Sequence, residues 1–156
     1  IDIYETGTTS PTFIDVDGLA VFAGMDYSIY AVGTVSPLNL EPLVVPENRR
    51  PVATSAVLNI THAAANPIAA SVDIYLTENA GISGSTPALS DVKFKDYANG
   101  IYVAAGSYFV TITVAGQPSV VAIDSAPATL ASGVVYQVVA IDDGAGFNLI
   151  VSDTTD

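Results

Sequence analysis

The chain has 156 residues, half of them hydrophobic, with 16 acidic residues against 4 basic ones and a formal charge of −12. A field of that sign repels nucleic acid and anionic lipid, so neither is an expected partner. No cysteine is present, which excludes a disulfide scaffold, a thiolate nucleophile and a Cys-based metal site. No apolar run is long enough to cross a bilayer, and no signal-peptide pattern precedes the first strand. The chain opens at Ile1 without Met, as a processed or cut chain would.

Short alternating runs separated by Gly, Pro, Ser and Thr fill the sequence, and no window sustains a 3.6-residue period, so an all-β sandwich is expected. Residues 1–5 alternate and read as a strand, followed by a turn over Gly7–Pro11 and a second strand over Thr12–Asp17. Leu19–Gly24 leads into a third strand, Met25–Val32, and Leu38–Val45 is a fourth, where Pro42 suits an edge or a bend. Pro46–Thr54 holds two prolines and both arginines without alternation, which marks a linker.

A fresh run of strands follows at Ala56–His62 and Ser71–Leu76, then a polar loop over residues 77–90. Asp91–Asp96 alternates strictly and reads as a strand, as does Gly100 onward to Gly106. In the stretch Val103–Gly116 a turn at Gly106 precedes a strand in which Tyr108, Val110, Ile112 and Val114 share one face, and Phe109, Thr111 and Thr113 the other. Val120–Asp124, Val134–Ile141 and Phe147–Ser152 complete about eight short strands in roughly a hundred residues, the scale of an immunoglobulin-like antiparallel sandwich.

The chain repeats itself. Placing residue 1 on residue 110 aligns about forty residues without a gap: Ile3 meets Ile112, Gly7 meets Gly116, Ile14-Asp15 meets Ile123-Asp124, and Gly24 and Tyr27 meet Gly133 and Tyr136. Asn39-Leu40 meets Asn148-Leu149, and apolar character is kept at Val21/Leu130 and Ile29/Val138. Glycines match at turns and apolar residues match in phase, the mark of an internal repeat. The expected organisation is the C-terminal half of a first module in residues 1–46, a linker over 47–54, and a complete second module in 55–156.

Three stretches carry a family resemblance: Leu58-Asn-Ile-Thr-His62 with Val72-Asp-Ile-Tyr75, then Val103-Ala-Ala-Gly106-Ser-Tyr108, then Leu130-Ala-Ser-Gly133-Val-Val-Tyr136. They resemble the DUF4397 domain, a β-sandwich repeat of unknown function found in tandem on secreted and surface proteins. The resemblance implies an extracellular or cell-surface location and supplies no catalytic residue. The chain departs from the pattern after its histidine, where Ala63–Ala70 is longer and less polar than the usual Ser-Pro-Asp-Ala-Pro turn.

Candidate chemistry is sparse. His62 is the single histidine, short of a metal set, and no Gly-x-Ser-x-Gly elbow accompanies it, so it reads as a structural residue at a strand end. Asp15 and Asp17, beside Gly18, and Asp142 and Asp143, beside Gly144, are weak calcium candidates, since neither stretch continues into a loop with a distal Glu. Asp-Gly pairs also make plain tight turns. Tyr4, Tyr30, Tyr75, Phe94, Tyr97 and Tyr102 would suit a sugar platform but are dispersed and include no Trp, so packing on sheet faces is expected. Gly24, Tyr27, Gly106, Tyr108, Gly133 and Tyr136 are read as structural, the tyrosines in corner positions. Asn59-Ile-Thr61 is a glycosylation sequon inside an expected strand.

These observations point to a non-catalytic structural or adhesive protein of the cell surface. A half-module exposes sheet edges and core, so self-association by strand complementation into a filament is one expectation, and a first half lost to cutting is the other. The alternative function is a carbohydrate- or calcium-binding surface module, with a surface polysaccharide as its partner. No cofactor, nucleic acid or membrane insertion is expected.

Overall fold

The computed structural model describes residues 2–155 except 5, 10, 11, 16, 35–37 and 145. It is an all-β protein of thirteen strands among the described residues. These are β1 (Asp2–Tyr4), β2 (Thr12–Asp15), β3 (Asp26–Thr34), β4 (Asn39–Glu47), β5 (Ala56–His62), β6 (Ser71–Thr77), β7 (Leu89–Lys93), β8 (Tyr97–Val103), β9 (Gly106–Val114), β10 (Gln117–Asp124), β11 (Ala128–Leu130), β12 (Val135–Asp143) and β13 (Gly146–Asp153). A single 3-10 turn, Pro67–Ala69, is capped by Asn66, whose side-chain oxygen accepts from the Ile68 amide at 3.1 Å.

The chain divides into two compact units, residues 1–47 and 48–156. The second is a two-sheet sandwich. One sheet runs β10-β9-β6-β7, with β11 on the start of β9, and the other runs β13-β12-β5-β8. All pairings among the described residues are antiparallel except β5 with β12, which run parallel from Val57↔Val135 to His62↔Ala140. Alternation sends Ala56, Leu58 and Ile60 of β5 inward to meet Val138 and Ala140 of β12, Val72 and Ile74 of β6, and Val110 and Ile112 of β9. Each aliphatic side chain fully buried this way contributes roughly 1.5–3 kcal/mol of transfer free energy before entropy is charged. β5 is buried along its whole length, on both faces.

Several strand limits differ from expectation. The alternating run Asp91–Asp96 is a strand only over its first half: β7 ends at Lys93, and Asp91 and Lys95 have φ of 55° and 74°. Left-handed residues break the pleat, so alternation in sequence does not become alternation in space. β8 begins at Tyr97, three residues before the expected start at Gly100. Gly106 is the first residue of β9 and not a turn. β11 is too short to leave a period in the sequence.

In the first unit β1 pairs with β2, and β3 pairs with β4. Asp2, Ile3 and Tyr4 face Asp15, Ile14 and Thr12. An offset of 109 residues carries these pairs onto Thr111↔Asp124, Ile112↔Ile123 and Thr113↔Val121 of β9 and β10, with the register shift at the same step. β3 maps onto β12 end to end. The gapless match stops at the next hairpin. The first closes at Thr34↔Asn39 and the second at Asp143↔Gly146, so the first loop is two residues longer. Asn39-Leu40 therefore occupies the ladder position of Gly146-Phe147, and its likeness to Asn148-Leu149 is out of register by one pleat repeat.

Candidate functional site

Burial separates the two copies. Leu130, on β11, is 4% exposed in the core of the second unit, while its counterpart Val21 is 61% exposed. Val138 is 6% exposed on β12, while Ile29, at the same place on β3, is 43% exposed. Phe22 and Met25 are exposed beside Val21. In the second unit, β12 lies between β13 and β5. In the first, β3 has one strand neighbour among the described residues, β4. By the pairing of β12 with β5, the other side of β3 over residues 26–31 is the position a parallel strand would take. This apolar face and strand edge form the candidate interaction site.

The tyrosines hold the geometry of both copies. The Ala131 amide donates to the Tyr136 hydroxyl at 3.0 Å, and the Phe22 amide donates to the Tyr27 hydroxyl at 3.3 Å, the same bond at the same offset. Between donor and acceptor the chain turns through Gly133 and Gly24, with φ of 80° and 79°, a conformation that a Cβ penalises. Gly106 serves a different end: a Cβ there would stand 3.1 Å from the Tyr108 ring, whose hydroxyl donates to the Ala104 carbonyl at 3.2 Å.

The other candidates are dispersed. His62 is 1% exposed, its backbone bonded to Lys95 and Asp96 and its ring edge-on to Phe94 at 6.5 Å. Asp142 receives the Ala65 and Asn66 amides at 2.7 and 3.2 Å, so its carboxylate fixes the segment after β5. Asp15 closes the β1–β2 ladder, Asp17 is exposed, and Asp143 closes the β12–β13 hairpin. No group of three or more metal-ligating side chains occurs among the described residues. Tyr75 is buried, Tyr97 and Tyr102 lie exposed on β8, and Tyr4 and Tyr30 belong to the first unit. Asn59 is fully buried and engaged at both ends, donating to the Asn48 carbonyl and accepting from the Gly100 amide; a folded chain cannot present that sequon.

Asp73 was not singled out by the sequence. Its carboxylate accepts from the Asp91 amide at 3.0 Å and the Gly116 amide at 2.8 Å, tying β7 and the β9–β10 turn to β6. The available signal was an acid within the apolar strand Val72-Asp-Ile-Tyr75. Asp91 itself accepts from the Ser71 hydroxyl at 2.6 Å and lies 3.6 Å from the Lys93 ammonium. Those two partners, the hydroxyl first, hold its carboxyl below the usual range. The Thr155 amide does the same for Asp153 at the end of β13.

Comparison with protein-family models, with curated proteins and with solved structures found no match. No helix among the described residues is long and apolar enough to cross a membrane.

Proposed function

We propose that this is a non-catalytic structural protein of the cell surface, and that its first unit is completed by strand addition along β3. The observation that carries the reading is the pair Ile29 and Val138: the same position in two copies of one supersecondary unit, exposed in one and buried in the other. A sheet edge beside exposed apolar side chains binds another strand through main-chain hydrogen bonds, with alternate side chains entering the apolar face. The partner is a second copy of the chain. Its strands in the second unit are already paired, so the contribution comes from a sheet edge, and β13, with exposed Ile150 and Val151, is the edge assigned to it. Joining β3 of one copy to β13 of the next is a heterologous contact, which propagates into a filament unless it closes into a ring.

The acidic charge and the resemblance to DUF4397 support a location outside the cell. Placement within that family rests on the three motifs, of which Tyr108, Tyr136 and Asp73 have structural roles. The test is light-scattering mass across a dilution series, with negative-stain images of the same sample. Strand completion predicts mass rising with concentration and ordered fibres. A monomer at every concentration would overturn it.

A further inference from the structure

The sandwich of the second unit is not packed solid. A cavity of about 220 Å³ lies between its sheets, lined by Leu58, Ile60, Ile74, Ile112, Val138 and Ala140 among others. Close-packed interiors leave few voids larger than a water molecule. No Asp, Glu, Lys or Arg lines this one, and beside the aliphatic wall its polar residues are Thr61, His62 and Tyr102, so it offers water few partners.

The cavity has a structural origin. On one side the outer strands β10 and β13 approach each other without pairing. On the other, β7 and β8 are the outer strands of the two sheets, and an open cleft lined by Leu89, Asp91, Val92, Lys95, Tyr97 and Ala98 runs beside them. Both pairings on that side are irregular: β5–β8 shifts register between Leu58 and Ile60, and β6–β7 between Val72 and Ile74. All four residues line the cavity. Bulges bend a strand and re-aim its side chains, and both irregularities border the same space. Ile101 and Tyr102 of β8 also line it, and Tyr102 is exposed, so the cavity reaches toward solvent at this edge.

We propose that this cavity is a binding site for a neutral alkyl chain, of the n-alkanol class. Its branched aliphatic wall suits a flexible hydrocarbon that follows an irregular surface, with the hydroxyl left at the β8 edge. The lining holds no Lys or Arg to pair with a carboxylate, and the formal charge of −12 repels one, which favours the neutral alkanol. In proportion to a cavity of about 150 Å³ that admits benzene, the volume takes roughly nine non-hydrogen atoms, the size of 1-octanol.

The test is methyl-resolved NMR of the whole chain titrated with 1-octanol, with octanoate as a second probe. The expected result is saturable shifts at the Ile60, Ile74, Ile112 and Leu149 methyls, with octanoate at least tenfold weaker. Ala140→Leu, which fills the cavity, and Ala88→Leu, a milder filling at its rim, each weaken octanol binding at least tenfold. Should Ala140→Leu fail to fold, Ala88→Leu carries the test. Shifts that never saturate, that centre on exposed Val120 and Val121, or that persist undiminished in the filled variant would overturn the site. Equal affinity for octanoate would overturn the neutral ligand.

Discussion

Residues 2–47 and residues 111–153 carry the same β1–β2 register, the same tyrosine bond and the same left-handed glycine, yet they differ in what surrounds them. In the second unit β5 and β6 flank the copied strands and turn Leu130, Val138 and Ile112 into core. In the first unit Val21 and Ile29 keep their apolar character and stay exposed. The hairpins and corners are local and form from their own residues. Burial is supplied by neighbours, and the same residue type is core in one setting and exposed surface in the other.

The largest break in this comparison comes from a charge on the equivalent strands. Val138→Asp buries an unpaired carboxylate and should cost more than about 4 kcal/mol, enough to unfold the second unit. Ile29→Asp in a dilute sample should cost under about 1 kcal/mol and should abolish mass growth at high concentration. Urea unfolding followed by residue-resolved NMR separates the two.

Asp73→Ala tests the part of the second unit that has no counterpart in the first. It leaves the Asp91 and Gly116 amides without their acceptor and should cost about 2–4 kcal/mol, read in the same experiment from β6 and β9 signals alone. Gly133→Ala and Gly24→Ala should each cost about 1–2 kcal/mol. Similar costs at the two sites would show that the turn is a local property, independent of the missing neighbours.

The smallest effect is a pH dependence confined to the second unit. The Asp91 carboxyl lies below its ordinary value of 3.8 because Ser71 and Lys93 favour the charged form. A depressed folded-state pKa contributes stability that is present above the unfolded value and lost as pH falls through the folded one. The loss should therefore appear below about pH 4. Ser71→Ala should move the Asp91 midpoint upward toward 3.8 in a carboxyl NMR titration. An unmoved midpoint would remove Ser71 as the cause.

Period and punctuation were enough to read the all-β class, the position of β5 and β12, and the repeat itself. Alternation over Ala56–His62 is a weak sign because β5 is buried on both faces, but its apolar and β-branched run still marks a strand. The break at Asp91 and Lys95 was hidden, because a left-handed backbone at a non-glycine residue leaves no mark in hydropathy. The two-residue difference between hairpins was hidden by a coincidence, Asn39-Leu40 against Asn148-Leu149, that only the ladder corrects. The parallel pairing of β5 with β12 joins segments more than seventy residues apart and has no local signal. The cavity lies beside register irregularities in two different sheets and was equally out of reach.

Amide hydrogen exchange on β3 and β12 across a concentration series tests strand completion most directly. Completion predicts that amides of residues 135–140 are protected at every concentration, while the alternate amides of residues 26–31 that point away from β4 exchange fast in dilute solution and gain protection as mass rises. Protection on β3 that stays constant from dilute to concentrated sample, at whatever level, would contradict it.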